Sequence, residues 1–265
     1  MTDLKGKRIV VTGAASGIGR AASLLAASQG AAVVVVDVAE DIDAVAAEIR
    51  ATGGDAIASR ADVSNEDEVK AFITLCVDEF GGIDGLYANA GIGGARKPFL
   101  ELTTEDWQKT LSINTIGTFL CIKHVSTHLV AQESGSIVCT ASVAGLRANA
   151  GGVDYSASKA AIISIIQTVA YQLYATGVRV NAICPGLIET GMTAGMFASA
   201  RDRGKEERIG QVNPMARYGL PGEIAEMACF LLSDAASYIN GQAIPVDGGL
   251  SASHPWVFPR EQKKS

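Results

Sequence analysis

Short runs of β-branched and aliphatic residues recur along the chain, each followed by a longer amphipathic stretch. Seven runs have the length and composition of buried strands: residues 8–11, 31–36, 55–60, 83–88, 137–140, 178–184 and 243–246. Between them the apolar period becomes helical over 20–29, 41–51, 65–79 and 221–232, and around Tyr155 and Lys159. Thr103-Thr104-Glu105-Asp106 is a helix-start signature and predicts one long helix through Trp107, Asn114 and Cys121. The strand runs are apolar on both faces, as in parallel sheets covered on both sides. Strands alternating with helices predict an α/β, doubly wound parallel sheet with helices on both faces. No repeat, low-complexity stretch or linker interrupts residues 1–265, which read as a single domain. Only 191–215 breaks the pattern, mixing Met192, Met196 and Phe197 with a charged run over 201–208. A segment of that kind predicts a lid, spanning about 187–215. A tail over 250–265 carries Trp256 and Phe258.

Composition narrows the partners. The formal net charge is −6 and no basic run is present, which argues against nucleic acid. The longest apolar runs are too short to span a bilayer, and residues 1–8 lead into a strand without a signal-peptide core. Cys76, Cys121, Cys139, Cys184 and Cys229 are odd in number, scattered and free of any C-x-x-C spacing. They predict buried thiols in a reducing compartment, with neither a disulfide frame nor a zinc site. His124, His128 and His254 form no metal-ligand cluster, so no metal is expected. The expectation is a soluble, cytoplasmic protein.

Tyr155-Ser156-Ala157-Ser158-Lys159 carries the clearest chemistry. Residues four apart share a helix face. A free tyrosine, with a pKa near ~10, transfers protons poorly at neutral pH, and a nearby ammonium favours its phenolate. Lys159 is therefore expected to lower the Tyr155 pKa, while Ser142 at the end of the 137–140 strand holds a carbonyl or alcohol oxygen. An ordinary surface pair of tyrosine and lysine is the alternative reading of this spacing.

Thr12-Gly13-Ala14-Ala15-Ser16-Gly17-Ile18-Gly19 joins the first strand to the first helix. Strand, glycine-rich turn and helix N-terminus together cradle a pyrophosphate on backbone N–H groups. A plain tight turn uses the same residues. Asp37 ends the second strand, where a carboxylate accepts from a ribose 2′-hydroxyl and repels a 2′-phosphate. Neither Val38 nor Ser16 supplies a cation for that phosphate, so NAD is favoured over NADP. Capping of a helix starting near Ala39 is the other use of Asp37.

Taken in order, Thr12-Gly13-x-x-x-Gly17-Ile18-Gly19, Asp62-Val63, Asn89-Ala90-Gly91, Asn114, Ser142, Tyr155-x-x-x-Lys159 and Pro185-Gly186 resemble the short-chain dehydrogenases/reductases. The resemblance covers Lys7 to Gly249 and implies a Rossmann-type sheet with its site at the C-terminal strand ends. It implies that Gly13, Ser16, Gly17, Ile18 and Gly19 wrap the pyrophosphate side and Asp37 the adenosine ribose. Asp62 and Val63 would lie at the adenine, with Asn89, Ala90 and Gly91 forming that wall. Beyond Pro185 and Gly186, Ile188 and Thr190 would fix the carboxamide. Lys159 would also bind the nicotinamide ribose, and Asn114 would hold a water linking Lys159 to solvent. Ala88 stands where many members carry another asparagine.

The activity implied is NAD-dependent interconversion of a secondary alcohol and a ketone, with Tyr155 as general acid/base. Ser142, Val143, Tyr155, Leu187, Met192 and Met196 are expected around a small to medium, mainly apolar, cyclic or hydroxysteroid-like substrate. Arg96 and Arg147 read as solvated loop residues with a carboxylate- or phosphate-binding alternative. Family members commonly form dimers or tetramers, so a homo-oligomer is expected. Reduction of 3-oxoacyl thioesters on a carrier protein is the second reading. A non-catalytic dinucleotide-binding scaffold is a third, and retention of Tyr155, Lys159 and Ser142 speaks against it.

Overall fold

The computed structural model describes residues 3–211 and 213–253. Its centre is one all-parallel sheet of seven strands: β1 (Arg8–Thr12), β2 (Ala32–Asp37), β3 (Asp55–Arg60), β4 (Gly85–Ala88), β5 (Gly135–Thr140), β6 (Val178–Pro185) and β7 (Ala243–Val246). The spatial order is β3-β2-β1-β4-β5-β6-β7, so the chain changes direction between β1 and β4. In open α/β sheets that reversal leaves a crevice at the C-terminal strand ends.

The sheet is held by two apolar layers that share its strands. In β2, Val33 and Val35 face one layer, Val34 and Val36 the other, and all four are fully buried. Successive strand side chains point to opposite faces, so an unbroken valine run serves both layers. Helices α1 (Gly17–Ser28), α2 (Ile42–Ala51) and α8 (Pro221–Leu232) close one side. Helices α3 (Glu66–Phe80), α5 (Gly117–Ala131) and α6 (Val153–Gln172) close the other. Asn65 caps α3 by accepting from the Asp67 N–H, and Gly81 ends it in the left-handed region at φ 75°.

Two expectations are revised. The long helix expected after Thr103 is three pieces: α4 (Thr104–Leu111), a π-helical turn (Ser112–Ile116) and α5. Thr103 and Asp106 do form the reciprocal capping box at its start. The described part of the 191–215 stretch contains two 3₁₀ turns (Gly191–Thr193 and Glu206–Arg208) and α7 (Ala194–Asp202). Phe197 anchors it, fully buried and edge-on to Tyr218 at 4.8 Å between ring centres. The aromatic residues of the 254–265 tail lie outside the described residues. No helix among the described residues is long and apolar enough to cross a membrane.

Phe72 is fully buried in the α3 layer, whereas Phe99 is 68% exposed. Phe72→Ala is expected to cost about 3–5 kcal/mol, and Phe99→Ala about 0.5 kcal/mol or less. Urea unfolding of both variants checks this, the first showing a lower midpoint at unchanged slope.

Candidate active site

The glycine turn lies at the reversal point. α1 begins at Gly17, so Gly17, Ile18 and Gly19 form its first turn, whose N–H groups lack intrahelical partners. Ser16 precedes them without a side-chain cap bond, and no acidic residue occupies that turn. The end of the helix dipole is thus left for an anion. Gly13 and Gly17 have φ of 68° and 53°. Gly13 is also pressed against the segment that follows β4, where an added Cβ would meet the Ala90 Cα at 2.8 Å. A Cβ on Gly19 would lie 2.0 Å from the Gly13 carbonyl oxygen. These glycines let the turn close on itself and on the next strand.

Asn89 fastens that closure. Its amide donates to the carbonyls of Thr12 (3.1 Å) and Gly13 (3.3 Å). The Thr12 hydroxyl accepts from the Asn89 and Ala90 N–H groups. Thr140, at the end of β5, donates to the Asn89 carbonyl oxygen at 3.0 Å. The wall expected from Asn89 and Ala90 is therefore a brace between three strand ends.

Asp37 accepts from the Ala15 N–H (2.9 Å) and the Ala39 N–H (3.1 Å). α2 starts only at Ile42, after Asp41, so Asp37 braces the glycine turn and does not cap that helix. A carboxylate with four acceptor positions keeps room for a further donor. Arg60 pairs with Asp37 in the β2–β3 register. It donates to the Val38 carbonyl at 3.2 Å and approaches Glu40 at 3.4 Å. That cation was invisible to a reading confined to the residues flanking Asp37. Asp62 accepts from the Ser64 N–H and hydroxyl, and buried Val63 packs under Gly117. Together, the bare helix end and the ribose-side carboxylate fit a dinucleotide.

Ser142, Tyr155 and Lys159 converge beside the turn. Lys159 is 3% exposed and donates to the Thr140 carbonyl at 2.8 Å, with its nitrogen 5.7 Å from the Tyr155 ring centre. Burial lowers its pKa to about 8, only partly opposed by the Cys139 and Cys184 thiols. Burial raises the Tyr155 pKa, and the Ser142 hydroxyl opposes the rise. This reverses the expectation that Tyr155 sits below its ordinary value: desolvation disfavours the phenolate more than its surroundings stabilise it. Ser142 itself accepts from the Ala144 N–H at 3.1 Å.

Asn114 sits within the π turn, fully buried. Its side chain accepts from the Ile92 N–H (2.8 Å) and donates to the Ile92 carbonyl and the Ser158 hydroxyl (both 3.0 Å). Both amide hydrogens are committed, so the side chain is a strut, and the water expected at Asn114 would be held through its main-chain carbonyl, which accepts two hydrogen bonds. Its own carbonyl already accepts from Thr118.

The rim comes from β6 and beyond. Pro185 pairs with Val246, and Gly186 abuts Asp247, where a Cβ would meet the Asp247 Cα at 2.7 Å. Thr190 lies across Gly17. Met192 and Met196 are exposed at 38% and 52%, while Val143 and Ile188 are buried and Leu187 half-buried. A cavity of about 130 Å³ lies between Leu187, Ile188, Asn213 and Tyr218. A larger groove, about 650 Å³, opens at the opposite strand ends around Tyr171, Tyr174 and Arg179 and contains none of these residues.

Of the two arginines expected in solvent, Arg96 is exposed and Arg147 half-buried, and both donate to main-chain carbonyls. Arg147 donates to the carbonyls of Leu250, Ser251 and Ser253, and Arg96 to that of Met192. His124 pairs with Glu66 at 2.7 Å. Among the described residues no group of three or more metal-ligating side chains occurs. The sequence also hid Asp154, buried and bonded to Ala95 and Thr110, because its partners lie far away along the chain.

A family profile described as enoyl-(acyl carrier protein) reductase matches residues 13–251. A 3-oxoacyl-[acyl-carrier-protein] reductase of Synechocystis is 45% identical over 94% of this chain and 99% of its own. A cis-4-hydroxycyclohexanecarboxylate dehydrogenase of Sinomonas cyclohexanicum is 42% identical over 92% and 96%. Among solved structures, a candidate NAD(P)-dependent gluconate 5-dehydrogenase of Beutenbergia cavernae, with NADP bound at low occupancy, superposes at a TM-score of 0.88. It is 34% identical and covers 95% of this chain and 99% of that one. The chain belongs to the short-chain dehydrogenase/reductase family, oxidoreductases acting on CH–OH groups with a nicotinamide dinucleotide.

With Lys159 titrating at about 8 and Tyr155 held above its ordinary value, both carry their protons at neutral pH. Ketone reduction requires the protonated phenol, which persists above this range, and the Lys159 ammonium, which favours the phenolate as the proton leaves and is lost as pH rises through about 8. Its kcat/KM is therefore expected to stay level near neutrality and fall as pH rises through about 8. A pH–rate profile that stays flat well beyond that point would contradict this arrangement.

Proposed function

We propose that the chain interconverts a secondary alcohol and its ketone with NAD(H), on a small to medium, mainly apolar cyclic substrate. The observation that carries this is the convergence of Ser142, Tyr155 and the buried Lys159 ammonium beside an uncapped helix end. Gly13, Ser16, Gly17, Ile18 and Gly19 would hold the pyrophosphate, Asp37 the adenosine ribose, and Asp62 and Val63 the adenine side. Ile188 and Thr190 would meet the nicotinamide. When bound, the dinucleotide supplies the hydride donor or acceptor.

Tyr155 gives its proton to the carbonyl oxygen in reduction and takes it from the hydroxyl in oxidation. Ser142 hydrogen-bonds that oxygen while charge develops on it. Lys159 places a cation behind the phenol ring and favours the phenolate when the proton leaves. Leu187, Met192 and Met196 offer an apolar rim, which suits a ring such as that in the name of the Sinomonas relative. The five buried free thiols agree with a reducing, cytoplasmic setting. Exposed Ile116, Phe119 and Val153 on the π turn, α5 and α6 agree with a homo-oligomer. The 187–215 segment is read as the lid of a single catalytic domain.

Arg60 favours a second reading. A guanidinium one strand from Asp37 is the cation an NADP 2′-phosphate needs, and a carrier-protein 3-oxoacyl reductase is among the relatives. Titration with NADH and NADPH, followed by turnover of 4-oxocyclohexanecarboxylate, cyclohexanone and an acetoacetyl thioester, separates the two. Tighter NADH binding with ring-ketone turnover is the expected result. Tighter NADPH binding with thioester turnover would replace the first reading by the second. Tyr155→Phe is expected to bind the dinucleotide normally and lose on the order of 10²–10⁴ in rate. Asp37→Ser is expected to weaken NADH about tenfold, or about 1.4 kcal/mol, read by fluorescence titration.

A further inference from the structure

Asp154 immediately precedes Tyr155 in the first turn of α6 and is 1% exposed. A buried carboxylate is costly unless several hydrogen bonds meet it. Here the partners are neutral and come from three directions. One oxygen, Oδ2, accepts from the Ala95 N–H at 2.9 Å and from the Thr110 hydroxyl at 2.8 Å. Backbone N–H groups of the α6 first turn also reach the carboxylate. Burial pushes its pKa up, and the hydrogen bonds more than reverse this, leaving it below its ordinary value.

The loop after β4, residues 91–98, has no secondary structure of its own. Side-chain ties hold it at four places: Ile92 to Asn114, Ala95 to Asp154, Arg96 to the Met192 carbonyl, and Lys97 to Asp106 on the surface. Gly94 adopts φ 73° and runs so close to the carboxylate that a Cβ there would lie 2.7 Å from Oδ2. Asp154 is thus bonded to the loop on one side and continuous with Tyr155 on the other. Through Ala95 and Arg96 the same tie reaches the Met192 segment.

We infer that Asp154 is a positioning residue that fixes the 92–97 loop against the Tyr155 helix and so sets the width of the substrate site. This rests on the proposed ketone chemistry for its kinetic part only, because the loop tie itself is read without substrate. Removing the carboxylate frees the loop where substrate enters and leaves the glycine turn and Lys159 untouched. The predicted signature is a loss in substrate KM with dinucleotide affinity intact.

The test compares Asp154→Ala, Asp154→Asn and Thr110→Val. In the alanine variant, KM for 4-oxocyclohexanecarboxylate is expected to rise on the order of tenfold, with kcat changed less and NADH Kd within about twofold. Hydrogen exchange is expected to speed up in peptides covering 92–97 and to stay unchanged over the glycine turn. Asparagine keeps an oxygen for Ala95 and Thr110, so that variant is expected to recover most of the KM. Thr110→Val removes one of the two donors to Oδ2 and is expected to shift KM and loop exchange in the same direction by less. It decides the matter by the same readouts if Asp154→Ala does not fold. Unchanged KM with unchanged loop exchange would overturn the inference, as would an Asn variant as impaired as Ala with weakened NADH binding. If the wild-type protein turns over none of the ketones while loop exchange still responds, the substrate reading fails and the positioning role stands.

Discussion

An ammonium group carried out of water costs several kcal/mol unless its surroundings hold it well. Lys159 sets that constraint on the whole C-terminal rim of the sheet. Its nitrogen rests on the carbonyl of Thr140, beside the thiols of Cys139 and Cys184, which burial keeps neutral at about 12 and about 11. The compensation comes from a fixed dipole, so it is only as good as the position of that carbonyl. β5 supplies the position, paired to β4 on one side and β6 on the other. The Thr140 hydroxyl carries the constraint further, to Asn89, and Asn89 carries it to the glycine turn. One connected set of hydrogen bonds, charged only at the ammonium, thereby holds both Lys159 and the glycine turn.

What the sequence disclosed follows from where the information lies. The valine run of β2 can only be a doubly buried strand, and the alternation with helices leaves little but a parallel sheet. Gly13, Gly17 and Gly19 were legible because their spacing is local, and Tyr155 with Lys159 because they share one helix face. The sign of the Tyr155 shift was not legible, since it depends on burial by residues brought in from β5 and the following loop. Asp154 and Ala95 are 59 positions apart, and Asp37 and Arg60 meet only because β2 and β3 pair. Arg96 and Arg147 bind main-chain carbonyls, which leave no trace in composition.

The edge formed by β2 and β3 carries opposite charges side by side, Asp37 on one strand and Arg60 on its neighbour. Arg60 is turned toward Glu40 and the Val38 carbonyl. Under the proposed reading, discrimination at the ribose would depend on how firmly that arginine is held by Glu40, an exposed pair of small intrinsic strength. Recognition of the dinucleotide as a class would then belong to the braced glycine turn, and the choice between its two forms to an exposed surface pair.

The π turn at Ser112–Ile116 has a rotational meaning. A regular helix advances about 100° per residue. One residue more in the turn rotates everything after it by that angle relative to everything before. α4 packs on α6, whereas α5 packs on α3 and the sheet. A straight helix would aim one stripe of side chains along a single line and satisfy only one of these seams. The wide turn is a phase offset of one residue, placed where Asn114 bonds to Ile92 and Ser158, and it lets a single run of chain face two different neighbours.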